Sequence, residues 1–265
     1  MNRLRLAING AGGRMGKRLV ALGSEDQQLQ IVAALEWEHH PALGQDVGVF
    51  SGFGEIGVPL AADLTADADA VIDFSIPEGT EKVLDLCLAR GLPLVLATTG
   101  HSDAQKERIR AAAQTIPLVW APSMSLAVNL TMKLTEIAAR ALKNHASGVD
   151  FEIIERHHRY KEDSPSGTAL RFGEIIAKEM DITRHVHGRE GRPGQRPRNE
   201  IGYHAVRVGD NPGEHTIIMG MLGETIELAV RASNRDCYAL GALTAAKYVA
   251  KQPPGLYTMN DVLGL

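Results

Sequence analysis

Cysteine is almost missing from this chain. Cys87 and Cys237 are its only two, far apart and in no C-x-x-C arrangement, so neither a disulfide framework nor a zinc site is encoded and no metal is expected. Long apolar runs are missing as well. None approaches membrane-spanning length, and the basic start Met1-Asn2-Arg3 leads into a glycine turn and not into the apolar core of a signal peptide, so a cytoplasmic location and no membrane partner are expected. There is no excess of basic charge either: a net charge of -4 argues against a nucleic-acid partner. What remains is a composition 44% hydrophobic over 265 residues, that of a soluble globular chain with room for one large or two modest domains.

The first organised feature is a strand, a glycine turn and a helix. Leu4, Leu6 and Ile8 alternate with Arg5 and Ala7, run into Gly10-Ala11-Gly12-Gly13-Arg14-Met15-Gly16, and continue into a helical stretch from Lys17 to Leu22. That order is the one a dinucleotide site requires. The match to G-x-G-x-x-G is imperfect because Met15 stands three residues after Gly12; Gly10, Gly13 and Gly16 fit G-x-x-G-x-x-G better. The mechanics are the same: a tight turn, bare backbone beside a pyrophosphate, and close helix packing. A second strand, Gln30 to Leu35, ends at Glu36, at about the spacing of the acid that binds ribose hydroxyls. A glycine loop without ligand and a solvated strand-end charge are the plainer alternatives.

Short apolar strands then recur at Ala70 to Phe74, Leu92 to Ala97 and Ile116 to Trp120, separated by helical stretches, as in a parallel sheet covered on both faces. Their ends, Ser75-Ile76-Pro77, Thr98-Thr99-Gly100 and Ala121-Pro122-Ser123-Met124, are candidate cofactor walls, since ligands of a doubly wound sheet bind at the strands' carboxyl ends. Thr98, Thr99 and Ser123 serve equally well as turn formers and rank below the glycines.

After Met124 the rhythm changes. A helix from Leu126 to Leu142 is followed by a strand, Val149 to Ile154, and a helix, Ala169 to Met180, with Leu170, Ile175, Ile176 and Met180 on one face. Two alternating runs follow, Ile201 to Val208 and His215 to Met219, joined by Gly209-Asp210-Asn211-Pro212-Gly213-Glu214, which reads as a hairpin; a further strand spans Thr225 to Ala232. A helix from Tyr238 to Ala250 closes the chain and is free to return to the first domain. The expected organisation is therefore α/β, a Rossmann-type parallel-sheet domain over 1–126 and 237–265 with a second α+β domain over 127–236.

The densest chemistry lies in the second domain, on the strand-to-helix loop Glu155-Arg156-His157-His158-Arg159-Tyr160-Lys161-Glu162-Asp163-Ser164-Pro165-Ser166-Gly167-Thr168. Histidine exchanges protons near neutral pH, and lysine carries a charge or, when desolvated, gives up its proton. Ser166, Gly167 and Thr168 open the following helix, where unbonded backbone N–H groups attract anions, a carboxylate being the simplest candidate. Surface histidines and an ordinary helix cap are the bland alternative. The loop from Arg184 to Arg198, with five arginines among glycines and prolines, reads as a solvated loop; closure over an anionic substrate is the other reading.

With both motifs in view, the chain resembles the 4-hydroxy-tetrahydrodipicolinate reductases of lysine biosynthesis, formerly called dihydrodipicolinate reductases, over nearly its whole length. Glu155 to Ala169 is similar to the family pattern E-x-H-H-x-x-K-x-D-x-P-S-G-T-A; the Gly10 to Gly16 turn and the closing Gly255-Leu256-Tyr257 to Val262-Leu263 also match. The resemblance implies a reduction with loss of water in the diaminopimelate route, a small dicarboxylate substrate, and a homotetramer built through the second domain's sheet. It assigns acid/base work to His157 and proton donation to Lys161, the dicarboxylate to His158, Gly167 and Thr168 with Ser166 beside them, and the nucleotide to Gly10, Ala11, Gly12, Gly13, Arg14, Met15 and Glu36. The nicotinamide side falls to Ala97, Thr98, Thr99, Ala121, Pro122, Ser123 and Met124. Trp37 stands where many members carry arginine, so NADH is expected over NADPH; Ala97 replaces a usual glycine and Ser123 a common asparagine. Two rivals share the first domain. A semialdehyde dehydrogenase needs a nucleophilic cysteine at the crevice, whereas Cys87 and Cys237 lie in helical stretches. A non-enzymatic NAD-sensing protein leaves the histidine-lysine loop without a role.

Overall fold

The alternation of β-branched runs with amphipathic stretches builds twenty elements in the computed structural model, which describes residues 3–265; the expectation drawn from Met1-Asn2-Arg3 falls partly outside them. In chain order they are β1 (Leu4–Asn9), α1 (Arg14–Glu25), β2 (Leu29–Leu35), α2 (Val47–Phe50), β3 (Leu60–Ala61), β4 (Ala70–Asp73), α3 (Pro77–Arg90), β5 (Leu94–Leu96), α4 (Asp103–Ala112) and β6 (Pro117–Trp120). There follow α5 (Leu126–Leu142), β7 (Asp150–His157), α6 (Gly167–Met180), β8 (Arg184–His187), β9 (Glu200–Arg207), β10 (Glu214–Met221), β11 (Glu224–Arg231), α7 (Asp236–Val249), β12 (Gly255–Tyr257) and α8 (Met259–Leu263). They form two compact units, Met1–Leu126 with Asp236–Leu265, and Ala127–Arg235.

The first unit is a seven-stranded sheet in the order β12-β6-β5-β4-β1-β2-β3, and its strand pairs are parallel. Alternation along β1 sends Leu6 and Ile8 to one core and Ala7 to the other, so helices must cover both faces. The order reverses between β1 and β4, and at such a switch point the diverging connections leave a crevice outside the carboxyl ends of the strands. Helix α7 fills the first core with Ala239, Ala242, Leu243, Ala246 and Val249 against Leu19 and Val20 of α1, and the Arg18–Asp236 ion pair at 2.6 Å joins the two helices. The Rossmann-type expectation is met.

The second unit is a five-stranded mixed sheet, β11-β10-β7-β9-β8. Here the hairpin expectation fails. β9 and β10 do not pair: β7 lies between them, parallel to β9 and antiparallel to β10. The glycine- and proline-rich joint crosses the end of β7, with Val208 N–H donating to the His157 carbonyl at 2.9 Å and His158 N–H to the Asn211 carbonyl at 2.7 Å. The true hairpin is β10–β11, closed through Leu222-Gly223.

Helix α6 is turned differently from its expected face. Ala169, Phe172, Gly173 and Ile176, spaced i, i+3, i+4, i+7, are its buried residues, while Leu170 is exposed. A Cβ on Gly173 would come within 1.6 Å of the Tyr203 hydroxyl, so the helix can approach the sheet only with glycine there. The arginine loop is likewise tied down. It opens with β8, Arg189 binds both Glu152 and Glu200 at 2.7 Å, and Arg196 donates to Asp150, Glu152 and the carbonyls of Phe151 and Glu200. These partners hold Glu152 at about 2, since they outweigh the burial that would raise it.

Candidate active site

In the first unit the glycines do the work of admitting a ligand. Gly10 has a φ of 77°, and a Cβ there would lie 2.6 Å from the Phe74 carbonyl oxygen; one on Gly16 would lie 2.2 Å from the Gly10 carbonyl oxygen. Only glycine permits this turn and this helix approach. Gly13 caps α1 without a side-chain hydrogen bond, leaving first-turn N–H groups for an anion. Glu36, at the end of β2, accepts from Gly12 N–H at 2.9 Å and from Trp37 N–H at 3.2 Å. A cleft of about 630 Å³ runs beside these residues, lined among others by Gly10, Gly13, Glu36, Trp37, Ser75 and Ile76. A bare turn, an uncapped helix start and an acid beside a cleft fit a pyridine nucleotide.

The other wall residues have more restricted roles. Thr98 is buried and donates its hydroxyl to Asp73 at 3.0 Å. Thr99 and Pro122 are exposed, whereas Ala97 and Ala121 are buried. The Met124 side chain belongs to the core, so only its backbone is left to face a ligand. Asp73 was not singled out from the sequence. It is fully buried at the end of β4 and accepts from Asn9 (2.8 Å), Ser75 Oγ (2.6 Å), Thr80 (2.5 Å) and Thr98, thereby tying the ends of β1, β4 and β5 together. A lone charge ending an apolar strand is the signal that could have found it.

In the second unit, strand alternation puts Phe151, Ile153, Glu155 and His157 of β7 on one buried face, so the apolar core passes directly into a polar row. Glu155 stands opposite His215 of β10, and His157 opposite Arg207 of β9. The Glu155 carboxylate, 1% exposed, takes four contacts: His157 Nδ1 at 2.5 Å, Arg207 Nη1 at 2.8 Å, Arg207 Nη2 at 2.7 Å and Ser166 N–H at 3.0 Å. Burial alone would push this carboxyl up, but Arg207, His157 and Ser166 hold it below the ordinary value. Burial also lowers the His157 imidazole, an effect Glu155 opposes.

His215 was missed by the sequence reading. Its ring lies edge-on to His157 at 5.2 Å, its Nε2 is 3.0 Å from Ser166 Oγ, and burial drives it down to about 4. Ser166 caps α6 by accepting from Ala169 N–H at 3.1 Å. Its hydroxyl and its N–H are therefore both engaged within the chain. Gly167 and Thr168 follow as the first helical residues, whose N–H groups have no intrahelical acceptor, and the space over Gly167 is open. Lys161 pairs with Asp163 at 2.8 Å, and His158 Nδ1 is buried without a partner.

Neither cysteine is an available nucleophile. Cys87 is buried in α3 with its thiol pushed up to about 12, and burial raises Cys237 in α7 as well. No helix among the described residues is long and apolar enough to cross a membrane.

Comparison with known proteins gives concordant matches. The family model described as "Dihydrodipicolinate reductase, N-terminus" matches residues 4–124, and "Dihydrodipicolinate reductase, C-terminus" matches 127–263. A 4-hydroxy-tetrahydrodipicolinate reductase of Rhodopirellula baltica is 57% identical, with 98% of this chain and 96% of the relative covered. One from Alkalilimnicola ehrlichii is 48% identical over 98% of this chain and 99% of its own. Among solved structures, the dipicolinate-bound dihydrodipicolinate reductase of Paenisporosarcina sp. TG-14 shares the fold, with a TM-score of 0.77 over 97% of each chain at 24% identity.

Proposed function

This chain belongs to the dihydrodipicolinate reductase family, and from that membership we propose that it reduces 4-hydroxy-tetrahydrodipicolinate to tetrahydrodipicolinate with NAD(P)H and loss of water, in the diaminopimelate route to lysine. The observation that carries the reading is the buried Glu155–His157 pair at the end of β7, followed by a loop that carries Lys161 and leads to the free first-turn N–H groups of Gly167 and Thr168. The end of one strand and the loop after it thus offer both proton carriers and an anion site.

The substrate ring loses its 4-hydroxyl as water, leaving an electron-poor carbon conjugated with the ring imine; reduction there requires a proton at the neighbouring carbon. When bound, the reduced nicotinamide supplies the hydride. Gly10, Ala11, Gly12, Gly13, Arg14 and Met15 would hold its pyrophosphate, Glu36 its ribose, and the turns at Ala97–Thr99 and Ala121–Met124 its nicotinamide end. His157 and Lys161 would supply the proton. A doubly anionic ring favours the protonated imidazole, offsetting the burial that lowers it. Gly167, Thr168 and His158 would hold the carboxylates, with Ser166 fixing the helix start on which they depend.

NADH is the nucleotide we propose as preferred, because Trp37 offers no charge to a 2′-phosphate that Glu36 would repel. We also propose a homotetramer joined through the outer face of the second sheet, where Ile154 and Val206 are exposed, and a cytoplasmic setting. The first test is nicotinamide absorbance with enzymatically generated 4-hydroxy-tetrahydrodipicolinate. Oxidation of NADH only when that substrate is present supports the proposal, and no oxidation with the folded protein rejects it. Light scattering at four chain masses supports the tetramer; a monomer rejects it.

A further inference from the structure

We propose that Glu155 and Arg207 are positioning residues of this site: together they fix the His157 imidazole with Nδ1 carrying the hydrogen, leaving Nε2 as the nitrogen that gives and takes the reaction proton. The inference rests on the function proposed above and adds two residues to it.

The geometry separates this role from that of an ordinary ion pair. Oε2 of Glu155 is shared between His157 Nδ1 (2.5 Å) and Arg207 Nη1 (2.8 Å), and Oε1 between Arg207 Nη2 (2.7 Å) and Ser166 N–H (3.0 Å). Four donors thus converge on a side chain that, when ionised, only accepts. Since Glu155 cannot donate to Nδ1, the neutral imidazole must carry its hydrogen there. Glutamine would not substitute, because its NH₂ group would have to face either the guanidinium and imidazole or the guanidinium and the Ser166 amide. The position demands a carboxylate and not merely an acceptor.

All four Nη hydrogens of Arg207 are committed, while its Nε–H is buried with no hydrogen-bond partner. Nη1 donates to Glu155 and the Val206 carbonyl, and Nη2 to Glu155 and the Asp163 carbonyl at 2.6 Å. No Nη hydrogen is left for a substrate carboxylate, although a part-buried arginine beside such a loop would ordinarily be taken for its ligand. Its bond to Asp163, the partner of Lys161, instead couples the segment carrying the second proton donor to the carboxylate that orients the first. Around the imidazole stand Glu155 from β7, Arg207 from β9, His215 from β10, Ser166 at the start of α6, and Lys161 with Asp163 from the loop. Against its far side, Gly213 leaves room that a Cβ, 2.9 Å from Nε2, would occupy.

The test uses the full chain and reads both the imidazole and the rate. Nitrogen-15 NMR of His157, assigned by comparison with His157→Gln, should show a neutral ring protonated at Nδ1 and a strongly deshielded Nδ1 proton. Glu155→Gln should lose that proton signal, give a mixture of tautomers and move the His157 titration to lower pH. It should also reduce kcat on the order of 10- to 10³-fold, as loss of an orienting carboxylate does elsewhere, with KM changed by less than about 3-fold. Arg207→Met should move the same titration upward, because the guanidinium disfavours the imidazolium. An Nε2–H ring in the wild type overturns the inference even if a variant fails to fold, and so does a folded Glu155→Gln protein with wild-type kcat. The wild-type tautomer judges the pairing whatever rate His157→Gln shows; that rate tests the proton assignment separately.

Discussion

The Glu36 carboxylate accepts a hydrogen bond of 2.9 Å from the Gly12 backbone N–H, which joins the acid at the end of β2 to the glycine turn that follows β1. A Cβ on Gly12 would lie 2.9 Å from both Glu36 Oε2 and His40 Nε2, so acid, imidazole and turn form one tight corner beside the cleft. The proposed preference for NADH rests on this corner.

A 2′-phosphate entering it would meet Glu36 as a like charge, and Trp37, 54% exposed, offers an aromatic face in place of a cation. One missing charge-assisted contact, worth ~1.5 to 3 kcal/mol, corresponds to roughly 10- to 100-fold in kcat/KM in favour of NADH. Trp37→Arg should narrow the ratio by improving NADPH use. Comparing kcat/KM for both nucleotides at pH 8 checks this; equal values would mean that another cation reaches the phosphate.

Thr168 should matter for the substrate and not for the nucleotide. Thr168→Val removes the hydroxyl at the start of α6 while keeping its shape, at a cost of ~1.5 to 3 kcal/mol for a charge-assisted hydrogen bond. KM should rise about 10-fold or more, and inhibition by pyridine-2,6-dicarboxylate should weaken to match. An unchanged inhibition constant would place the carboxylate elsewhere.

His215 should make the fold acid-sensitive. Its folded value of about 4 lies below the ordinary 6.5, so the unfolded chain binds the proton more readily. Its contribution is therefore complete above pH 6.5 and is lost as pH falls toward 4, amounting to about 3 kcal/mol across that window. Urea midpoints should fall over this range in the wild type and fall less in His215→Gln. Parallel curves would show that the buried ring does not control the transition.

The parts legible in the sequence are those governed by local rules. A turn with a positive φ at Gly10 and a helix start on Gly13 follow from backbone constraints that neighbouring residues impose, so the nucleotide motif stands out in the string of letters. The alternation of β7 could also have been carried three residues further, to His157, which would have put Glu155 beside it on one face. Arg207 and His215 could not be found that way. They reach Glu155 and Ser166 across sequence separations of 52 and 49 residues, through a strand order that the apolar pattern does not encode. The hairpin misreading has the same origin: the joint from Gly209 to Glu214 has turn chemistry, but β7 intervenes because its buried face completes the core on both sides. Of the five arginines in the loop from Arg184 to Arg198, Arg189 and Arg196 are drawn from solvent by Glu152, whose position is equally non-local.

The central claim is that the histidine-lysine loop supplies the proton of the reduction, and the most direct measurement is kcat for His157→Gln and Lys161→Ala beside the dissociation constant of NADH for each. Lost general acid catalysis costs ~10²- to 10⁴-fold in rate. The expected result is a fall of that size in kcat for both variants with NADH binding unchanged within about 3-fold, corresponding to less than ~0.7 kcal/mol. Wild-type kcat in either variant, or equal losses in rate and NADH affinity, would contradict the account.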